Sequence, residues 1–374
     1  YGPGAGRERL ELLNRAAKDT DTILYLFSLK DIDYANNRIN GKYYNPNQER
    51  WLNKLFSFPD VVYHRNGIPE YSEQDYERFY RVIIEKNIRI INSLGAFNKW
   101  DVYQALSSDR SIKPHLPETK LFSKQDNSFL QMLSRYGRVF LKACRGRQGK
   151  QVMQITRLLD GMYDYRFFKK RLISRKATVS ELYRVLNLFF EGKAFIIQQP
   201  IDLIEIDGQK IDLRAEVQRN GKGRLEIVAI PTRVGHKKSP ITTHASSYQF
   251  EEFFANHLGY NNIALASLKN KIHNFLFRIY GSVEKHFGPF GEMGIDFGLD
   301  KNNKLWFIEC NAQPAKVSLM KAYSGDTVMK AFVNPIKYAV HIAGSRETRS
   351  FFDMYGMRNL AALRGDMIDL KGSN

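Results

Sequence analysis

The sequence predicts an α+β protein built from two or three domains. Its 374 residues exceed one ordinary domain, and 43% of them are hydrophobic, which is enough for more than one core. Short apolar segments typical of buried strands alternate with amphipathic helical segments in the first half of the chain. Longer strand-like segments, joined by turns rich in Gly and Asn, dominate the second half.

The first predicted unit is a small α/β domain over residues 1–92. Residues 72–86 place apolar side chains at helical spacing and predict an amphipathic helix. Strands are predicted at 22–29, 60–63 and 88–91, with a loop or hairpin over 36–53. The first six residues resemble a truncation point or a cloning remnant and are left out of the fold prediction.

The second predicted unit is an α+β subdomain that includes a lid and covers residues 93–200. Its helices and strands are short and alternate closely. The predicted helices are 99–106, 129–136 and 179–190, and the predicted strands are 119–122, 138–143, 151–155 and 194–199. A loop that contains glycine, 145–150, joins two of these strands.

The third predicted unit, residues 201–374, carries the longest strands. Segments 211–219 and 224–234 flank an Asn-Gly-Lys-Gly turn at 220–223, which predicts a hairpin. A helix is predicted over 268–287 because apolar residues recur every three or four positions. These residues are Ile272, Leu276, Ile279, Val283 and Phe287. Gly288 and Pro289 then end the helix.

The net charge of +18 is concentrated in one segment. Residues 135–176 contain 13 Lys and Arg against 2 acidic residues. Such a segment forms a solvated basic face, a clamp for polyphosphate, or a surface for an acidic polymer or nucleic acid. Nucleic-acid binding is the least favoured of these readings, because no recognised nucleic-acid-binding module accompanies the segment.

Composition also restricts the kind of site and the compartment. The two cysteines, Cys144 and Cys310, form no ligand cluster with His, which argues against structural zinc and favours a reducing compartment. No apolar run approaches the roughly 20 residues that a membrane span needs. The start of the chain lacks the pattern of a signal peptide. The sequence therefore predicts a cytoplasmic protein that does not bind membranes.

The most informative segment is a predicted hairpin over residues 291–311. If Asn302 and Asn303 form its turn, Asp296 lies across from Glu309, and Asn311 lies on the same face. The opposite face is then apolar and is predicted to face the core. Its members are Ile295, Phe297, Leu299, Trp306, Ile308 and Cys310.

Two carboxylates placed in this way need a counter-charge. At a separation of about 5 Å and an effective dielectric constant near 20, they repel by roughly 3 kcal/mol. A Mg²⁺ ion cancels this repulsion and prefers a few carboxylate oxygens together with phosphate oxygens. Asp296, Glu309 and Asn311 are therefore the predicted metal ligands. Two alternatives stay open: a shift of the strands by one residue, or a lysine that neutralises the pair.

The offsets of 13 and 15 residues in this set resemble the magnesium triad of ATP-grasp ligases. More closely, the chain resembles the YheC/YheD family of endospore coat-associated proteins. The shared motifs run in order along the chain. They are LFS at 26–28, DVVY at 60–63, FNKWDVYQ at 97–104, HLPET at 115–119, VFLK at 139–142, IQQ at 197–199, IDLR at 211–214, GEMGID at 291–296 and IECN at 308–311.

The resemblance implies an ATP-grasp fold: two α+β subdomains with antiparallel sheets that grip ATP, preceded by a small α/β pre-ATP-grasp domain. It implies that Lys99 and Lys142 contact ATP and that Arg214 and Lys142 act in catalysis. Further ATP-binding positions implied by the resemblance are Gln198, Gln199 and Ile201 at the adenine hinge, Glu205 at the ribose, and Asp212 and Lys316. Two segments depart from the family pattern. The loop at 143–150 carries Arg145 and Arg147, and His244 stands where relatives have Asn.

The predicted function is an ATP-dependent carboxylate–amine ligase that acts through an acyl phosphate, with Mg²⁺ or Mn²⁺ as the metal. The basic segment favours an acidic small-molecule or peptide substrate, joined to an amine. Two alternatives stay open: a kinase that phosphorylates a hydroxyl or a phosphate, and a non-catalytic nucleotide-binding protein of the spore coat. The resemblance also implies spore association, whereas the oligomeric state stays open.

Overall fold

The structure, a computed structural model, describes residues 5–65, 72–92, 94–146, 151–237, 239 and 246–344. Its helices are α1 (Ala5–Asp19), α2 (Glu73–Glu85), α3 (Lys99–Ser107), α4 (Ser128–Tyr136), α5 (Val179–Phe190), α6 (Phe250–Leu258), α7 (Asn262–Phe287), α8 (Val317–Ala322) and α9 (Gly325–Gly344). Among these helices of the described residues, none combines the length and the apolarity needed to cross a bilayer.

The strands belong to four sheets, and all but one pair of neighbouring strands is antiparallel. The first half of the chain contains β1 (Ile32–Asp33), β2 (Arg38–Asn45), β3 (Arg50–Phe56), β4 (Val61–Tyr63), β5 (Arg89–Ile91), β6 (Thr119–Leu121), β7 (Arg138–Ala143), β8 (Val152–Arg157), β9 (Tyr163–Lys169) and β10 (Arg171–Ala177). The second half contains β11 (Phe195–Gln198), β12 (Glu205–Ile206), β13 (Gln209–Arg219), β14 (Leu225–Ala229), β15 (Thr232–Val234), β16 (Ser246–Tyr248), β17 (Glu292–Leu299) and β18 (Leu305–Asn311). This mixture of helices and antiparallel sheets confirms the predicted α+β class.

The N-terminal part combines a three-stranded sheet with a small β–α–β unit. β4 and β5 are parallel, and α2 connects them, as a parallel pair requires. The predicted hairpin within 36–53 is present as β2 and β3. The predicted strand at 22–29 is wrong: only Leu26 pairs, in an isolated bridge to Lys42. Tyr25 and Phe27 are half-buried and pack against the core of this part instead.

Six strands form a twisted sheet in the order β10-β9-β8-β7-β11-β6. α4 and α5 pack on one face of it, and they bury the apolar side chains that give both helices their amphipathic pattern. The N-terminus of α5 is fixed by a capping box in which Thr178 and Glu181 each accept from the other's backbone N–H. Each predicted strand and helix of this region is present within two residues of its predicted bounds. The loop at 145–150 lies partly outside the described residues.

The largest sheet has the order β16-β15-β13-β17-β18, and β12 and β14 also pair with β13. Its apolar face packs against α7, whose Ile272, Leu276, Ile279 and Val283 are buried as the helical spacing predicts. The central strand β13 alternates strictly along its length. Ile211, Leu213, Ala215 and Val217 face the core, and Asp212, Arg214, Glu216 and Gln218 lie on the opposite face, which we call the polar face.

The predicted continuous strand 224–234 is wrong, because it is interrupted at Ile230 and Pro231. Proline has no N–H to donate to a ladder, so pairing stops in β14 and resumes in β15. β14 and β15 therefore pair with separate parts of β13, and the register shifts between Glu216 and Val217. This shift determines which side chain of β15 meets Asp212.

Asn92 connects the small β–α–β unit to the β17–β18 ribbon. Its side chain is fully buried, and its Nδ2 donates to Ala312 O at 2.8 Å. Its Oδ1 accepts from the backbone nitrogens of Gly291 and Glu292 at 3.0 and 3.2 Å. The Asn92 amide therefore holds both ends of the ribbon. It binds Ala312, one residue beyond β18, and the backbone at the start of β17.

We expect Asn92→Ala to destabilise the protein by about 3 kcal/mol relative to Asn87→Ala, because it leaves buried backbone groups unpaired. Asn87 is the matched control: it shares the left-handed conformation (φ 53° against 58°), but it is exposed. Within the described residues, its side chain makes no hydrogen bond. Thermal unfolding of both variants measures the difference, and equal Tm values would contradict the role of Asn92.

Candidate functional site

The polar face of the large sheet and the six-stranded sheet approach each other along β7, β13 and β18. Arg138 of β7 donates to Asp202 at 2.7 Å, and Lys210 of β13 places its ammonium 5.5 Å from the centre of the Phe140 ring. The backbone N–H of Lys99 donates to Cys144 O at 2.9 Å. These contacts bring the two sheets together, and charged side chains of both sheets lie in the region between them, which we call the cleft.

The predicted pairing at the ribbon is confirmed. Asp296 lies opposite Glu309, and Asn311 lies opposite Gly294, so all three side chains of the predicted triad share the polar face. The prediction for the core face is partly wrong. Leu305 and Phe307 are buried in the core where Trp306 and Ile308 were expected.

A one-residue irregularity in β18 explains both results. Near the turn, Phe297 pairs with Phe307 and Leu299 with Leu305, whereas beyond the irregularity Asp296 pairs with Glu309. Ile308 is therefore left without a partner on β17. The turn is longer than the two residues that the sequence suggested, and the extra residue at Ile308 restores the predicted register at the site. Ile308 lies 3.7 Å from the position that a Cβ on Gly298 would take, which places Ile308 on the polar face.

Opposite charges alternate across the polar face. Arg214 of β13 lies opposite Asp296 and binds it through two nitrogens, one of them at 2.8 Å. Arg233 of β15 lies opposite Asp212 and binds it at 2.6 and 2.8 Å, and it also reaches Asp296 at 3.2 Å. Burial alone would raise the pKa of Asp296, but the two guanidinium groups outweigh burial and hold the pKa below its ordinary value. Asp296 is therefore charged.

Lys142 enters the cleft from β7 and is held by a neighbouring strand. Its Nζ donates to Gln198 Oε1 at 2.7 Å, and Gln198 Nε2 donates to Thr119 Oγ1 at 3.0 Å. Burial lowers the pKa of Lys142 to about 8, although the Glu309 carboxylate raises it. Two predicted ATP-binding residues, Lys142 and Gln198, thus form one hydrogen-bonded unit.

Lys99 lies in the first turn of α3, and its side chain points toward the Glu309 carboxylate. Its Nζ lies 3.8 Å from Glu309 Oε2 and 3.4 Å from Gly146 O. Among the described residues, Glu309 has no closer polar partner than Lys99. The structure therefore brings together Lys99, Lys142 and Glu309. One alternative from the sequence was a lysine that neutralises the pair Asp296 and Glu309. Lys99 partly fills this role, because it lies close to Glu309.

The predicted adenine-hinge residues lie where β11 leads into the large sheet. Gln199 closes a two-way contact with Glu118: its backbone N–H donates to Glu118 O at 2.8 Å, and its Oε1 accepts from Glu118 N at 2.9 Å. Ile201 is half-buried just beyond. Glu205 is exposed in β12 opposite Lys210, and its contact with a ribose stays a prediction.

Lys316 is buried in a second ionic cluster on the polar face. Its ammonium and the guanidinium of Arg65 both bind the fully buried Glu292. Tyr63 Oη donates to Glu292 at 2.5 Å, and Arg65 Nη2 donates to Pro314 O at 3.0 Å. Burial lowers the pKa of Lys316, whereas Glu292 raises it. The N-terminal part of the chain therefore supports the loop that follows Asn311.

Several polar atoms in or near the triad are buried and have no hydrogen-bond partner among the described residues. They include both carboxylate oxygens of Glu216, Asn311 Nδ2 and Gln313 Nε2. Burial raises the pKa of Glu216 to about 7, against the opposing effect of Lys316 and Arg214. Unsatisfied buried polar groups are rare in folded proteins and indicate a functional or ligand-dependent arrangement.

The predicted metal ligands suit Mg²⁺ chemically. Asp296, Glu309 and Asn311 offer carboxylate and amide oxygens, which hard cations prefer. The buried Asn311 Nδ2 has no partner, so an anionic oxygen beside the metal would satisfy it. Within the described residues there is no group of three or more His, Cys, Asp or Glu side chains that could hold a metal by itself. A metal held at this site would therefore need the Asn311 amide and ligand oxygens to complete its coordination.

Sequence reasoning missed Arg233, Glu216, Glu292 and Arg65. Strict alternation in β13 could have placed Glu216 beside Arg214, and the alternation of β17 could have placed Glu292 beside Asp296. Arg233 could not be assigned, because its place opposite Asp212 depends on the register shift in the pairing of β13 with β14. Arg65 comes from another part of the fold, and no local pattern indicates it.

Comparison with known proteins identifies a matching family, related sequences and a solved structure of similar fold. The YheC/D like ATP-grasp family matches residues 87–342. Endospore coat-associated protein YheD of Bacillus subtilis (strain 168) is 29% identical over 304 residues, which cover 78% of this chain and 64% of YheD. Endospore coat-associated protein YheC of the same organism is 21% identical over 329 residues, 83% of this chain and 85% of YheC.

Among solved structures, VanG D-Ala:D-Ser ligase from Enterococcus faecalis aligns with a TM-score of 0.50. The alignment covers 90% of this chain and 95% of VanG at 12% identity. Identity this low shows the fold alone.

We expect Glu216→Gln to stabilise the protein, and to do so more at pH 8.5 than at pH 5. A carboxyl whose pKa rises from 4.5 to about 7 on folding carries no penalty below pH 4.5. The penalty grows as pH rises to 7 and then stays constant at about 3 kcal/mol. Denaturation at the two pH values tests this, and parallel pH profiles for wild type and variant would contradict it.

Proposed function

Because the chain belongs to the YheC/D like ATP-grasp family, we propose that it is an ATP-dependent ligase that joins a carboxylate to an amine. One observation carries the proposal: the oxygen donors Asp296, Glu309 and Asn311 share a face with Arg214 and lie beside Lys142. Cations and metal-binding oxygens gathered in one cleft suit a nucleotide triphosphate with its metal.

The protein's contribution to such a reaction is to position and to neutralise charge. Asp296, Glu309 and Asn311 would hold Mg²⁺ or Mn²⁺, and the metal would supply positive charge against the negative charge that develops during phosphoryl transfer. Lys142 and Lys99 supply point charges toward the phosphates. Arg214, fixed by Asp296, presents its remaining N–H groups to the transferred phosphoryl group or to an acyl phosphate.

The nucleotide's base would lie at the junction between the two sheets. Gln199 holds this junction rigid through its paired hydrogen bonds to Glu118. Ile201 supplies apolar contact, and Glu205 lies at the exposed end, where it can meet ribose hydroxyls. Asp212 acts through Arg233, which it orients toward Asp296. Lys316 supports the loop after Asn311 through its contact with Glu292.

The basic hairpin of β9 and β10 favours an acidic co-substrate. Its exposed cations are Lys169, Lys170, Arg171, Arg175 and Lys176. A cluster of one sign of charge raises the local concentration of anions around the protein. We propose that the carboxylate substrate is itself acidic, a small molecule or a peptide.

Spore association is proposed from the relatives alone. YheD and YheC of Bacillus subtilis are endospore coat-associated proteins, and this chain spans about 64% of the length of YheD. We also propose the division of the chain into an N-terminal domain at 1–92, a subdomain with its lid at 93–200, and a metal-bearing subdomain at 201–374. The parallel β4–β5 unit and the two large sheets support it.

We expect the wild-type protein to release ADP when MgATP is mixed with an acid and an amine from a panel. Glu309→Gln should lower the rate at least 100-fold, because one carboxylate ligand of the metal is lost. Its Tm should change little, since the nearest partner of Glu309 lies 3.8 Å away. Glu251→Gln, an exposed α6 residue paired with Lys269, is the matched control.

The same assay separates the alternatives. Unchanged activity in Glu309→Gln would remove the metal assignment. A stable phosphorylated product formed without any amine would show a kinase. Absence of both ADP release and a rise in Tm with MgATP would indicate a protein that does not use the nucleotide.

We expect the affinity for MgATP to fall about tenfold between pH 7 and pH 9. Lys142 has a pKa of about 8 in the free protein, and only its protonated form attracts phosphate. Lys142→Arg should bind with little dependence on pH over this range, because a guanidinium stays charged. Titration with a fluorescent ATP analogue measures both, and a flat profile for the wild type would contradict the role of Lys142.

A further inference from the structure

A buried carboxylate on the polar face has no hydrogen-bond partner in the part of the chain that the structure describes. Glu216 lies within β13 and is 1% exposed, and neither of its carboxylate oxygens accepts a hydrogen bond from a described residue. Carboxylates are rarely buried in this way unless they are paired, because burial removes their hydration. The fold therefore retains at this position a strong acceptor that its own side chains do not use.

The nearby cations are already bound to other carboxylates. Arg214 binds Asp296, and Lys316 and Arg65 bind Glu292. They moderate the charge of Glu216 at a distance but donate no hydrogen bond to it. The carboxylate oxygens of Glu216 can thus accept hydrogen bonds from a ligand that carries N–H groups.

Glu216 lies next to the proposed reaction centre. Its strand partner is Gly294, whose other neighbour is Asn311, and this row is adjacent to the row of Arg214, Asp296 and Glu309. A Cβ on Gly294 would lie 3.2 Å from an Arg214 nitrogen and 3.0 Å from Pro314 Cβ. Because Gly294 has no side chain, the Arg214 guanidinium can lie over its backbone, between Glu216 and the predicted metal triad.

The unpartnered donors nearby complement the unpartnered acceptor. Asn311 Nδ2 and Gln313 Nε2 are buried without an acceptor, whereas Glu216 lacks a donor. A ligand that satisfies all three side chains must donate N–H groups to Glu216. It must also present an oxygen atom that accepts from Asn311 and Gln313. An amine beside an acyl or phosphate oxygen has this arrangement, whereas an anionic acceptor would be repelled by Glu216.

We propose that Glu216 receives the amino group of the acceptor substrate. This inference rests on the proposed ligase function and specifies its second substrate as a primary amine rather than a phosphate. Both oxygens of Glu216 are covered in this structure, so the amine reaches them only after a neighbouring side chain moves aside.

Thermal unfolding with small probes tests the proposal without knowledge of the natural substrate. In 100 mM propylamine hydrochloride we expect the wild-type Tm to rise by about 1–2 °C above its value in equal NaCl. Propan-1-ol and sodium propionate should give no such rise. In Glu216→Gln the rise should disappear, whereas in Glu226→Gln, a control paired with Lys330 on α9, it should persist.

The outcomes separate this inference from the proposed function. A wild-type Tm that responds to MgATP but not to propylamine would overturn the inference and leave the ligase proposal standing. No response to MgATP would count against the proposed function itself. An equal propylamine shift in Glu216→Gln would show that the amine binds elsewhere.

A structure of the wild-type protein in propylamine provides a test that needs no variant. We expect the nitrogen of propylamine within hydrogen-bond distance of a Glu216 oxygen. Density for propylamine only at other positions would overturn the proposal, even if Glu216→Gln did not fold.

Discussion

The extra residue at Ile308 decides which side chains meet on the polar face. Close to the turn, Phe297 pairs with Phe307. If this register continued along β17 and β18, Asp296 would lie opposite Ile308 and Glu309 would point to the core side. The bulge shifts the pairing by one residue, because a strand's side chains alternate between the two faces. Glu309 and Asn311 thereby join Asp296, while Leu305 and Phe307 stay in the core. The whole candidate site depends on this local irregularity.

The polar face remains stable because most of the buried charges on it are bound by an opposite charge. Arg233 pairs with Asp212, and Arg214 pairs with Asp296, each through two nitrogens. Paired, hydrogen-bonded charges tolerate burial far better than isolated ones. Glu216 is the exception among the described residues of β13, and its place beside the candidate metal triad is the reason for the functional role that we propose for it.

The N-terminal part of the chain contributes to the site although it supplies none of the predicted ligands. Asn92 joins the ends of the ribbon, and Arg65 and Tyr63 bind Glu292 and the loop after Asn311. Supporting contacts of this kind fix the orientation of the residues that touch a metal or substrate. The family match begins at residue 87, so much of this support lies outside the segment that defines the family.

The sequence by itself determined the fold class, most helices and strands, and the pairing of Asp296 with Glu309, because these follow from local periodicity and turn residues. It failed at 22–29, where only Leu26 pairs with another strand, and at Pro231, which splits a predicted strand in two. Only the tertiary structure decided the Ile308 bulge, the contact of Arg233 with Asp212, and the approach of Arg65 to Glu292. Each depends on which strands become neighbours, and residues far apart in the chain set that choice.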